Sequence, residues 1–108
     1  MARTPKRLAG PAQVSNAAAT KYTVPASTKT IVRHVHVQNP SVSAVTFTLS
    51  IGADAAGTRI FDAFSIAAGT VLDHFCYYII EATEVLQAFA GTNNILTLEI
   101  GGDEITLG

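Results

Sequence analysis

The sequence is short of nearly every residue type that a small domain uses for chemistry. Cys76 is its only cysteine. A lone thiol excludes an intrachain disulfide and a cysteine-based zinc site. There is no tryptophan, and aromatic residues make up only 7% of the chain. Sugar-binding faces usually rely on ring platforms, so Tyr22, Tyr77 and Tyr78 argue against one. Charged residues account for 14%, well below the usual share of about 25%. Disorder is excluded all the same, because hydrophobic residues reach 48% and the net charge is −1. No apolar run exceeds residues 75–80, whereas a membrane helix needs about 20 such residues. The first seven residues carry charge with no apolar stretch behind them, so no secretory signal is expected. Gly52 and Gly57 are not followed by a lysine, which leaves no phosphate-cradling loop. Sparse charge on a domain of 108 residues leaves much neutral surface, the kind that partner subunits cover.

The charges that are present are divided by position. Residues 1–53 hold Arg3, Lys6, Arg7, Lys21, Lys29 and Arg33 and no acid, a sum of +6. Residues 54–108 hold Arg59 against eight acids, a sum of −7. Two arrangements satisfy this split. Strands from the two halves pair inside one domain and the charges meet locally, or a basic arm of one copy meets the acidic body of another. Specific nucleic-acid binding is not expected. Three cations at the N-terminus are few for phosphate contacts, and residues 21–108 sum to −4.

Residues 1–20 contain Pro5, Gly10, Pro11, Ser15 and Asn16 and keep no period of 2 or 3.6. They are expected to form an extended N-terminal arm, with the domain proper over residues 21–108. An arm of that length, fully extended, reaches on the order of 60–70 Å. From Tyr22 onward the pattern is strand after strand: residues 21–24, 30–38, 45–51, 58–62, 71–80, 84–90, 95–100 and 105–107. The clearest alternation sets Val45, Phe47, Leu49 and Ile51 against Thr46, Thr48 and Ser50. Leu96, Leu98 and Ile100 alternate in the same way and should share that core. Residues 71–80 are largely apolar and are expected to be bent or buried on both faces. Turns are expected at residues 52–57, at residues 91–94 and at Gly101-Gly102. Pro25 and Pro40 fall at strand ends, and Ala17-Ala18-Ala19 is too short for a helix. This spacing predicts an all-β chain: a single antiparallel β-sandwich of seven or eight strands, jelly-roll-like or immunoglobulin-like.

The sharpest chemical pattern is His34-Val35-His36. It places two imidazoles on one strand face, about 7 Å apart. With His74 from a neighbouring strand they would suit zinc or another transition metal. The cupin pattern follows such a pair with a glutamate, and Val37-Gln38-Asn39-Pro40 supplies no acid. Exposed or subunit-contacting histidines are the expected reading, with no bound metal and no cofactor. Asp73 and His74 are neighbours on one strand and point to opposite faces. Ser41, Ser43, Ser50 and Ser65 lack a nucleophile-elbow context. Cys76 reads as a packing residue, and Glu81 and Glu84 read as solvated turn charges. No catalytic residue is expected, and the protein is read as a non-enzyme.

Several stretches taken together carry a resemblance. Residues 8–13 lead into Tyr22-Thr23-Val24-Pro25-Ala26. Then follow His36-Val37-Gln38-Asn39-Pro40, residues 46–52 and Thr58-Arg59-Ile60-Phe61-Asp62. This pattern, over roughly residues 7–100, resembles small virion-associated proteins of tailed bacteriophages. The resemblance implies a structural β-sandwich, a homotrimer attached to capsid or tail, assembled in the host cytoplasm and resident in the virion. It supplies no catalytic residues. Capsid decoration, through contact with the major capsid protein or other virion subunits, is the leading expectation. Arg3, Lys6, Arg7, Leu8, Pro11 and Val14 of the arm are the expected partner contacts. The alternatives are a tail or tail-fibre accessory protein, a glycan-binding module and a cupin-like metalloprotein. An exposed aromatic platform would mark the glycan module, and convergence of His34, His36 and His74 the metalloprotein.

Overall fold

The computed structural model describes residues 2–107. Met1 and Gly108, the outermost residues of the expected arm and sandwich, lie outside the described residues. Eight strands account for most of the chain: β1 (Ala2–Gln13), β2 (Ala19–Thr23), β3 (Thr28–Gln38), β4 (Val45–Ile51), β5 (Arg59–Ile66), β6 (Val71–Ile80), β7 (Val85–Ala90) and β8 (Thr97–Thr106). No helix forms among the described residues. The strands build two four-stranded sheets, ordered β1-β8-β3-β6 and β2-β7-β4-β5, with every pairing antiparallel. β1 pairs with β8, β2 with β7, β3 with β6 and β4 with β5. This nested pairing is the jelly-roll winding, so the immunoglobulin-like alternative gives way to the jelly-roll one.

Alternation explains how the sheets meet. Val45, Phe47 and Leu49 of β4 are buried, with Ile51 partly so at the strand end. Leu98 and Ile100 of β8, and Leu96 just before it, meet them from the opposite sheet. β3 adds Val32, Val35 and Val37. The three-residue step from Val32 to Val35 reflects a bulge at Arg33, where the register shifts against both β6 and β8. Asn39, just beyond β3, is a fully buried polar residue. Its Nδ2 donates to the carbonyls of Ser43 and Ile66, and its Oδ1 accepts from the Ser41 backbone N–H and hydroxyl. That side chain fixes the crossing from one sheet to the other at Pro40.

Four expectations are corrected. Residues 2–13 are not an arm free of their own domain; they are an edge strand hydrogen-bonded to β8. Leu8 and Val14 turn into the core, and β8 would otherwise present a bare edge. Gly101-Gly102 is not a turn, because β8 runs through it. Gly102 is needed there: a Cβ would collide with the Ile31 carbonyl of β3. Residues 71–80 do form one strand, but only one face is covered. Val71, Phe75, Tyr77 and Ile79 are 51%, 76%, 61% and 55% exposed, while Ile80 is buried. β5 also continues to Ile66, beyond the expected stop at Asp62.

Two predictions follow from this packing. Phe47→Ala should destabilise the domain by about 3–5 kcal/mol in denaturant unfolding. Deleting residues 2–14 should abolish cooperative melting, because it removes Leu8 and Val14, each worth roughly 1.5–3 kcal/mol of burial, and strips one edge of β8. A truncated chain with a native circular dichroism spectrum and melt would contradict the role assigned to β1.

Candidate functional site

The outer face of the β1-β8-β3-β6 sheet gathers most of the unusual side chains. His34 and His36 leave β3 on this face, opposite Phe75 and Asp73 of β6 in register. Asp73 Oδ1 lies 2.6 Å from His34 Nε2 and 2.9 Å from His36 Nδ1. One carboxylate oxygen thus bridges two imidazoles. These hydrogen bonds, first from His36 and then from His34, hold the Asp73 carboxyl below the usual carboxylate range. Phe75 stacks on the His34 ring at 4.4 Å and 8°. One register step away, the Arg33 guanidinium lies over the Tyr77 ring at 5.7 Å. Arg33 and Arg3 both reach Asp103 Oδ2 of β8, at 3.4 and 2.7 Å.

His74 does not join the other two histidines. It points to the opposite face from Asp73, as strand geometry requires, with Nε2 3.0 Å from the Tyr78 hydroxyl and its ring edge-on to Phe61. The three-histidine convergence expected of a cupin-like centre is therefore absent, and His34 and His36 face outward. The acid missing from residues 37–40 comes from across the sheet, as Asp73. Local spacing relates Asp73 only to His74, because its place beside His36 depends on the β3–β6 register. A cross-strand pairing of the two runs would have exposed it.

The expected partner contacts are largely engaged within the chain. Arg3 pairs with Asp103, Lys6 with Glu104 at 3.2 Å and Arg7 with Glu99 at 3.4 Å. Lys29 pairs with Glu81. The basic first half and acidic second half thus meet inside one sandwich. Leu8 and Val14 are core residues, and Pro11 alone of the apolar three stays exposed. Pro11 follows Gly10, whose positive φ and closeness to the Leu98 carbonyl leave no room for a Cβ. Cys76 is half-buried beside the Val32 carbonyl, and burial raises its thiol pKa, so it is a poor thiolate. Glu84 accepts the Glu81 N–H and closes the turn between β6 and β7. No enclosed pocket is present among the described residues.

Between the sheets, the Tyr22 hydroxyl donates to Glu104, while Thr30 Oγ1 lies 2.8 Å from the same phenol oxygen. Burial, and then the Glu104 hydrogen bond, push the Tyr22 pKa up to about 12. Comparison with family models, curated proteins and solved structures gives no match.

Tyr22 allows a pH test. The folded state holds its proton more tightly than the unfolded chain does, where phenols titrate near ~10. Its stabilising share is complete below that value and is lost as pH rises toward about 12. Tyr22→Phe should flatten the fall in stability over this window in urea unfolding. A residual slope should remain from Tyr78, whose pKa burial also raises. An unchanged slope would contradict the assignment.

Proposed function

We propose that this protein is a non-enzymatic structural subunit of a tailed-bacteriophage virion, a decoration protein held on the capsid surface by subunit contacts. The observation that carries this reading is the apolar strip of β6. Val71, Phe75, Tyr77 and Ile79 project from one face of an edge strand, more than half exposed. A small domain poor in charge gains little from exposing four such residues on one strand face unless another subunit covers them. The edge position adds unpaired backbone groups to the same contact.

Other features fit the role. The jelly roll is an architecture of capsid domains among others. The described residues enclose no pocket for a substrate. The bacteriophage assignment itself rests on the sequence pattern described above. The contact surface moves from the N-terminal residues to β6, because Arg3, Lys6, Arg7, Leu8 and Val14 are already used within the domain. Assembly as a homotrimer on the capsid, with the major capsid protein as partner, remains the preferred arrangement; a tail location uses the same surface. A glycan-binding role fits less well. The Phe75 and Tyr77 rings already have His34 and Arg33 against them, which obstructs sugar stacking.

The test is a Phe75→Ser/Tyr77→Ser variant. It should fold with a native spectrum, since both side chains are mostly solvent-exposed, yet fail to co-sediment with purified particles that retain the parent protein. Retention equal to that of the parent would overturn the proposed surface.

A further inference from the structure

The geometry points to a binding site for a divalent first-row transition ion, zinc or nickel, formed by His34, His36 and Asp73 on the outer face of the β3–β6 pair. This inference does not depend on the virion role. The three ligand atoms, one nitrogen from each histidine and one Asp73 oxygen, all lie within 4.8 Å of one another. Ligands bonded to zinc at about 2.0–2.1 Å stand roughly 3.3 Å apart in a tetrahedral site. Asp73 Oδ1 lies 2.6 and 2.9 Å from the two nitrogens. Asp73 Oδ1 therefore has to withdraw from both nitrogens to admit an ion between the three side chains.

The donor set is suited to such an ion. Two imidazoles and one carboxylate match the borderline character of zinc and nickel, whereas calcium and magnesium prefer all-oxygen shells. The backbone supplies preorganisation. Two residues of one strand and the register partner of the second are fixed relative to one another by the β3–β6 ladder. The His34 ring is held flat against Phe75, which limits its rotation. All three side chains are partly open to solvent, so the remaining coordination positions can take water.

The arrangement gives the ion a mechanical role. His34 and His36 lie on an inner strand of the sheet and Asp73 on its edge strand, so a bound ion fastens β6 to β3. That clamp sits beside the exposed strip and tightens the strand that carries it.

The test uses zinc chloride titrated into the full chain by calorimetry, with amide exchange recorded by NMR. One ion per chain is expected. Uptake should be lost in His36→Gln and weakened roughly 10-fold or more in Asp73→Asn. His74→Gln, which alters a histidine outside the cluster, should bind as the parent does. Zinc should slow amide exchange in β6 in the parent and not in His36→Gln, with circular dichroism confirming that each variant is folded. No zinc uptake by the parent would overturn the site, as would equal uptake by His36→Gln or by Asp73→Asn.

Discussion

The closure of β8 between β1 and β3 is the interaction on which the rest of this structure depends. β8 is the only strand of its sheet whose two neighbours come from the first third of the chain. Its inward residues, Leu98 and Ile100, complete the core. Its outward Asp103 takes Arg3 from one side and Arg33 from the other, and Glu104 takes Lys6 and the Tyr22 hydroxyl. The cations of these pairs are about half exposed while their acids are largely covered, so each ion pair adds only modestly to stability. Their larger effect is on pairing, because they match a basic strand on each side to an acidic one and disfavour other registers. The charge division of the sequence is thus an internal matter of one domain. It leaves few cations at the N-terminus to attract a partner.

Alternating segments were legible in the sequence because their burial follows the period of the pleat. Val45–Ile51 and Val71–Ile80 have the bounds the pattern indicates. β1 was not legible, for a physical reason. As an edge strand at the rim of the sandwich it buries Leu8 and little else, so it has no alternation to show. Pro5 and the Gly10-Pro11 step break its pattern further, which an edge strand tolerates because half of its backbone groups need no partner. Gly102 misled in the opposite sense. A glycine pair reads as a turn, but here it admits the β3 backbone at close range. The span of residues 71–80 was evident, and its one-sided burial was not. A run apolar on both faces does not reveal which face lacks a neighbour.

The candidate site divides along the same line. His34 and His36 stand out by local spacing alone. Their partner Asp73 belongs to a strand almost forty residues later and becomes visible only through the β3–β6 register. The same face carries Phe75 and Tyr77, so the polar cluster and the apolar strip form one continuous surface on the edge of the sandwich. β1 and β6 are the two edges of this sheet, and its large exposed apolar side chains lie on β6.

Native-state hydrogen exchange tests this account most directly, since it reads the protection of each strand separately. If β1 closes the sandwich, its amides bonded to β8 will be protected to nearly the same degree as those joining β3 to β8, and the two sets will open together as denaturant is added. If β1 amides exchange at the rate of an unstructured chain while β3 and β4 remain protected, the N-terminal strand is free of its own domain. The closure placed at the centre of this fold would then be wrong.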